Sequence, residues 1–88
     1  MAIYHVSYDL NKSGQNYQGM YDELMETDYC HYAESSWLID TTETAEQVWS
    51  RLSSSVDEND TVLIIRVTTP YQGWLNKECW DWLNSRTF

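Results

Sequence analysis

The spacing of apolar residues changes period several times along this 88-residue chain, and that succession constrains the fold more than any other feature. Near the N-terminus, Tyr4, Val6 and Tyr8 alternate with other side chains, which is the period of a strand. Further along, the apolar residues recur every three or four positions, which is the period of an amphipathic helix; they are Tyr17, Met20, Tyr21, Leu24 and Met25. The N-terminal part therefore predicts a strand over residues 2–8 and then a helix.

The middle of the chain repeats this switch. Residues 29–33 and 36–40 alternate and are rich in aromatic and β-branched side chains, which predicts two strands joined by a tight turn. Thr44 with Gln47 is a candidate capping box that opens a second helix. The apolar stripe of this helix includes Trp49, so we expect Trp49 to pack against the sheet, and we expect Trp49 or Trp37 of the third strand to lie in the core. The other members of the stripe are Ala45, Val48 and Leu52.

The C-terminal part adds a strand and a helix. Residues 61–68 are apolar on both faces apart from Arg66, which predicts a central strand covered on both sides. Pro70 and Gly73 indicate a turn. Residues 77–84 then predict a short last helix with one apolar face.

The resulting order is β-α-β-β-α-β with a terminal helix. This order predicts a single α+β domain over residues 1–88, of the ferredoxin-like plan. In that plan a four-stranded antiparallel sheet carries two helices on one face, because each crossover is right-handed. The other face needs cover, so we expect the short C-terminal helix to shield one side and a homodimer to form through sheet faces or edges.

The charge balance is strongly acidic, with fourteen Asp and Glu against five Lys and Arg and a net charge of −9. Proteins that bind nucleic acid by charge set Lys and Arg against phosphates, so nucleic acid is not an expected partner. Anionic membrane surfaces are disfavoured for the same reason. An acidic surface keeps a small dimer soluble, and it also suits a basic groove on a protein partner.

The chain has two cysteines, Cys30 and Cys79, too few for a disulfide framework and without zinc-ligand spacing. We expect both to be unpaired, buried, small apolar residues in a reducing compartment. The N-terminus shows no basic region followed by an apolar run, and the longest apolar run, Val62 to Ile65, is too short to span a membrane. These features predict a cytoplasmic protein.

Asp9 is the main candidate for chemistry, because it ends the first predicted strand and precedes a polar loop. A carboxylate there can hold Mg²⁺, and two copies at a dimer axis could place one ion over a phosphodiester. In the alternative interpretation, Asp9 or Asn11 accepts backbone N–H groups in a turn. His5 and His31 lack partners at triad or metal spacing and are expected to be structural.

Aromatic residues are abundant, with five Trp, seven Tyr and one Phe. Aromatic sheets can stack bases, but such sheets also use Lys and Arg, which are scarce here, so core or dimer packing is favoured. A small-nucleotide site stays an open alternative. We place the candidate contact residues at Tyr8, Asn11 and Asn16, beside the end of the first strand, and at Trp74 and Trp80 near the C-terminus.

Five stretches carry a family resemblance: residues 4–12 (YHVSYDLNK), 15–17 (QNY), 35–39 (SSWLI), 73–78 (GWLNKE) and 82–83 (WL). Together they resemble the small bacterial and phage proteins labelled SinR-like, which are related in plan to the small CRISPR adaptation subunit. The resemblance implies a ferredoxin-like dimer and, by analogy, a metal-dependent nuclease site at Asp9. The chain departs from the adaptation subunit in having neither an Arg pair after Asp9 nor a basic duplex-binding surface.

These observations together predict a small acidic homodimer that acts as a non-catalytic interaction protein without a cofactor. It would engage a protein partner, in phage–host defence or counter-defence. The alternatives are a Mg²⁺-dependent endoribonuclease that uses Asp9 at the dimer interface, and a small-nucleotide-binding protein.

Overall fold

The computed structural model describes residues 1–10 and 17–88. Its strands are β1 (Ala2–Asp9), β2 (Asp28–Ala33), β3 (Ser36–Thr41) and β4 (Thr61–Arg66). Its helices are α1 (Gln18–Met25), α2 (Ala45–Leu52) and α3 (Lys77–Asn84), with a 3-10 turn at Ser53–Ser55. The predicted succession of strands and helices is confirmed. None of the helices in the described ranges is long and apolar enough to cross a bilayer.

The four strands form one open antiparallel sheet in the order β2-β3-β1-β4. On β1, His5 lies opposite Leu38 of β3 on one side and Ile65 of β4 on the other. Because side chains alternate along a strand, each strand contributes to both faces. We call the face that carries Tyr4 and Val6 the inner face, and the face that carries His5 the outer face.

Helices α1 and α2 pack against the inner face and form the main core with it. Trp37 of β3 is buried there, and its indole N–H donates to the Tyr8 hydroxyl at 2.9 Å. The predicted capping box is confirmed, since the Thr44 side chain accepts from the Gln47 backbone and the Gln47 side chain accepts from the Thr44 backbone. The buried members of this core are Tyr4, Val6, Tyr8, Met20, Leu24, Trp37, Ile39, Val48 and Leu52.

The expectation that Trp49 packs against the sheet is wrong, because 44% of this residue is exposed. On α2, Val48 and Leu52 point at the sheet and are fully buried. Trp49 follows Val48 by one residue and is therefore turned by roughly 100° around the helix axis. It lies beside Val62 and Ile64 at the β4 edge rather than in the core.

Helix α3 packs against the outer face, where Ile3 and Leu38 are buried beneath Leu83. Cys30 of β2 and Cys79 of α3 form a disulfide, with their Cα atoms 5.8 Å apart, within the usual range for such bonds. The expectation of two unpaired cysteines is therefore wrong. The bond joins residues 49 positions apart and ties α3 to the β2 end of the sheet.

The expectation that residues 61–68 form a central strand covered on both sides is also wrong. β4 ends at Arg66 and is an edge strand, with Leu63 56% exposed and Ile65 51% exposed on the outer face. The physical reason is the position of α3, which lies over the opposite end of the sheet. We call Ile3, Cys30 and Leu38, beneath α3, the covered half of the outer face, and Ser7, Leu63 and Ile65 the open half.

Candidate functional site

The chain between β4 and α3 crosses the outer face and leaves a cleft of about 370 Å³ between itself and the sheet. This segment includes Pro70, which follows a cis peptide bond, and Gly73, whose φ of 156° is open to glycine but strained for other residues. The described residues that line the cleft are His5, Tyr32, Leu38, Val67, Tyr71, Gln72, Gly73, Trp74, Leu75, Trp80 and Leu83. The cleft therefore lies at the border between the covered and open halves.

His5 and Tyr32 provide a polar pair within this otherwise apolar lining. The His5 Nε2 atom and the Tyr32 hydroxyl share a hydrogen bond of 2.5 Å. Partial burial lowers the pKa of His5 from its ordinary value, because an imidazolium would lose hydration there. The imidazole is therefore neutral near pH 7, and the pair offers a ligand a hydrogen bond rather than a charge. The expectation of a structural role for His5 agrees with this partner.

Aromatic side chains form the wall and rim of the cleft. Tyr71 and Trp80 stack with their ring centroids 6.2 Å apart and an angle of 26° between the rings. Trp74, at the rim, is 99% exposed. The described lining contains no Lys, Arg, Asp or Glu. Its chemistry therefore suits an uncharged apolar or aromatic group, and a phosphate bound in it would meet no cation of that lining.

An ion-pair network holds α3, and with it the Trp80 wall, against the sheet. Arg86 lies 2.9 Å from an oxygen of Asp28 and 3.2 Å from an oxygen of the buried Asp40, and its guanidinium lies over the Trp82 ring at 4.1 Å. The Trp82 indole N–H also donates to Asp28 at 2.9 Å. This bond, with the help of Arg86, lowers the pKa of Asp28. Together with the disulfide, these contacts tie the helical wall of the cleft to the sheet.

The candidate residues at the end of β1 lie at a different place. Asp9 is exposed and lines a separate hollow of about 310 Å³ together with Glu34, Tyr17 and Tyr21. Within residues 1–10 and 17–88 there is no group of three or more His, Cys, Asp or Glu that could hold a metal. Asn11 and Asn16 lie outside the described residues. The structure therefore places one carboxylate at the predicted position without a described ligand set around it.

Tyr8, another candidate contact residue, is buried in the main core. Its hydroxyl donates to the Glu34 backbone oxygen at 2.9 Å and accepts from Trp37. Burial raises the pKa of Tyr8 to about 12, because a phenolate would be poorly solvated there. The ring is thus not available to a partner, and the hydroxyl joins the β2–β3 turn to the core.

Of the candidate contact residues, Trp74 and Trp80 come together at one cleft. Sequence reasoning missed His5, Tyr32 and Tyr71 as their neighbours. A signal for Tyr32 was present, since alternation along β2 places Cys30 and Tyr32 on the same face. The path of the chain around Tyr71 had no such signal, because irregular segments have no period.

No family model matches the chain, and neither a curated protein nor a solved structure shows significant similarity to it.

Proposed function

We propose that this chain is a small acidic interaction protein without catalytic activity, which pairs through its outer face and engages a basic protein partner. The observation that carries the proposal is the exposure of large apolar side chains on that face: Trp74 at 99%, Leu63 at 56% and Ile65 at 51%. Grouped exposed apolar residues on a small domain are typical of interaction surfaces. Trp is also the residue type that most often anchors protein contacts.

The cleft supports a contact site rather than a reaction site. Its uncharged aromatic lining can accept an apolar side chain from a partner, with the His5–Tyr32 pair fixing orientation. In a pair of chains, Trp74 of each copy is the natural group for this role, because it stands at the rim of the same cleft. Pairing would thereby remove Trp74, the most exposed large apolar side chain of the described residues, from water.

The charge distribution supports a basic partner. Among the residues described, Arg51, Lys77 and Arg86 each pair with acids of this chain, at Glu23 and Glu43, Asp81, and Asp28 and Asp40 respectively. These internal pairs leave the net charge of −9 unchanged, so the excess of acids acts on other molecules. Complementary charge speeds encounter and selects partners of opposite sign.

We also propose that the α+β fold is of the ferredoxin-like plan. The strand order β2-β3-β1-β4, with an α-helix in each crossover, supports the ferredoxin-like plan. The SinR-like relationship and a role in phage–host conflict rest on the sequence resemblance alone. The predicted cytoplasmic localisation is opposed by the disulfide, since such bonds persist mainly in oxidising compartments. Counting the free thiols of protein alkylated in living cells tests this point. Two free thiols per chain would support the cytoplasm, and none would support an oxidising compartment.

The alternatives gain no support from the described residues. For a nucleotide, the cleft has stacked rings but no cation for the phosphate. For a Mg²⁺-dependent endoribonuclease, Asp9 is exposed but has no described ligand set beside it. An RNA-cleavage assay with and without chelator, repeated with Asp9→Asn, tests that alternative directly. Cleavage lost under both conditions would establish it and remove the proposal of a non-catalytic protein.

Pairing through the outer face is tested by sedimentation velocity over a concentration series up to about 100 μM. We expect the wild type to approach twice its 10.4 kDa mass. Trp74→Ala should weaken pairing about tenfold or more, because an interfacial Trp is typically a hot spot. Trp49→Ala is the matched control, since it removes an exposed Trp that lies away from this face. A monomer at every concentration, or equal loss in both variants, would contradict the pairing.

A further inference from the structure

In the part of the chain that the structure describes, the outer edge of β4 presents backbone groups without partners. Val67 donates its N–H to the Ile3 oxygen at 2.8 Å, on the β1 side. In an antiparallel pair, the residues that bond to the neighbouring strand alternate, so Leu63 and Ile65 also turn their backbone groups toward β1. The intervening residues of β4 turn theirs toward the open edge, and they are Val62, Ile64 and Arg66.

No feature of the described structure blocks this edge. β4 contains neither Pro nor a bulge, and it is the last strand in the sheet order. Natural proteins usually protect an edge of this kind, because it is a ready template for another strand. The unprotected edge of β4 is therefore a site at which a further extended chain can pair.

A groove runs beside this edge on the inner side. Trp49 lies between two hollows there: one of about 250 Å³, which it shares with Val62 and Ile64, and one of about 380 Å³, which it shares with Val56. Trp49 is 44% exposed. A side chain that extends from an added strand into this groove would lie against the indole.

The rim of the groove is acidic. Glu46 lines the first hollow, and Asp57, Glu58 and Asp60 line the second. In the described part of the groove no Lys or Arg lines either hollow. A Lys or Arg side chain suits this geometry, because its methylene stem can cover Trp49 while its charged group reaches the exposed Glu46 or Glu58.

We propose that the open edge of β4 binds an extended segment of a protein partner in which Lys or Arg alternates with apolar residues. The segment adds a fifth strand, with its basic side chains over Trp49 and its apolar side chains beside Leu63 and Ile65. This inference rests on the proposed function and names the site at which the basic partner is held. Main-chain bonds supply affinity, and the alternating side chains supply specificity.

The charge selects this occupant over a second copy of the chain. Two copies paired through β4 would bring the exposed Glu46 and Glu58 of their rims toward one another, and Arg66 is the one cation within β4 itself. A nucleic acid would meet the same rim with its phosphates. Pairing of copies is therefore assigned to the outer face, and the β4 edge to the basic segment.

The probe is a synthetic peptide of about nine residues in which Arg and Val alternate, long enough to span one strand. We expect amide exchange at Val62, Ile64 and Arg66 to slow when the peptide binds. The amides of Leu63 and Ile65 should change little, since they already face β1. The same peptide with N-methyl groups on alternate residues keeps its charge but cannot pair, so its affinity should fall by about tenfold or more.

Variants of the protein locate the side-chain contacts. Trp49→Ala should lower the affinity for the Arg-Val peptide about tenfold, and Glu46→Gln about two- to fivefold. The matched controls are Met25→Ala, which removes an exposed apolar side chain of α1, and Glu26→Gln, which removes an exposed acid; both residues lie outside the groove. Neither control should change the affinity.

Three results would overturn the inference. The first is no binding of the Arg-Val peptide up to about 1 mM. The second is binding that tolerates N-methylation, which would mean attraction by charge alone. The third is protection of Val62, Ile64 and Arg66 by protein concentration without peptide, which would assign the edge to a second copy. Pairing through Trp74 is measured separately, by sedimentation. Any of these three results can therefore occur while the outer-face pairing holds, and the pairing can fail while the Arg-Val peptide still binds the β4 edge.

Discussion

The covered and open halves of the outer face are built from similar side chains but differ in exposure. Leu38, in the covered half, is 5% exposed, whereas Leu63, in the open half, is 56% exposed. Both lie on strands that flank β1. What separates them is the position of α3, which the Cys30–Cys79 bond and the Arg86 network hold at the β2 end. Apolar sequence alone therefore does not say which half of a sheet is buried.

The largest expected effect is a direct contrast between the two halves. Leu38→Ala should lower the free energy of unfolding by about 2–5 kcal/mol, because it leaves a cavity between the sheet and α3. Leu63→Ala is the matched control and, at protein concentrations too low for pairing, should change it by less than about 0.5 kcal/mol, because the side chain is largely in water in the single chain. Chemical denaturation monitored by Trp fluorescence measures both. Equal losses would mean that the open half is also covered.

The Cys30–Cys79 disulfide is expected to contribute nearly as much to the free energy of unfolding as the Leu38 side chain does. Replacing both Cys30 and Cys79 by Ala should lower the free energy of unfolding by about 2–4 kcal/mol, since the bond restricts the unfolded chain over a long loop. Hydrogen exchange should accelerate mainly in α3 and β2. Oxidised and reduced wild type provide the control without substitution. A free energy of unfolding that is unchanged by reduction would show that packing alone holds α3.

The elements of the fold could be predicted from sequence because periodicity is local. Predicted residues 77–84 coincide with α3 (Lys77–Asn84), and the Thr44 cap was recognisable from its own motif. The errors concern long-range relations. The Cys30–Cys79 bond depends on where α3 docks, 49 residues away from Cys30. A run that is apolar on both faces has the same composition whether its strand is central or, as β4 is, at an edge.

The candidate site was predicted only in part for the same reason. Trp74 and Trp80 were identified by residue type, and they do line one cleft. Their neighbours come from strands distant in sequence, so no spacing could indicate them. Trp49 shows how a small error in a helical stripe matters. Val48 of the predicted stripe is buried, whereas Trp49, one residue further along the helix, lies at the exposed β4 edge.

A smaller loss of stability is expected when Arg86, which pairs with Asp28 and Asp40 at the covered half, is replaced. Arg86→Gln should lower the free energy of unfolding by about 1–3 kcal/mol, because Asp40 is 8% exposed and loses its cationic partner. Lys77→Gln, which breaks an ion pair on the exposed surface of α3, is the control and should cost little. Thermal denaturation of both variants makes the comparison. Arg86→Gln with wild-type stability would leave α3 held by the disulfide and apolar contacts alone.

The smallest expected effect is a pH dependence of the covered half. The Trp82 N–H, followed by Arg86, lowers the pKa of Asp28, so the folded state favours the carboxylate. Stability from a lowered pKa is complete above the unfolded value of about 3.9 and is lost as the pH falls through the folded value. The gain is modest, because the Asp28 side chain is 53% exposed and solvent screens its partners.

The advantage of wild type over Asp28→Asn should therefore shrink as the pH falls below about 4, in denaturation measured across the acidic range. Trp82→Phe is the background that tests the cause, because it removes the largest contribution to the pKa shift while retaining a ring over which Arg86 can lie. In that background, the stability of Trp82→Phe is compared with that of Trp82→Phe combined with Asp28→Asn. We expect the difference between these two proteins to depend less on pH than the difference between wild type and Asp28→Asn. Parallel curves for wild type and Asp28→Asn down to the lowest pH would show that the N–H bond of Trp82 does not favour the charged carboxylate, and that α3 is held at the covered half without help from Asp28.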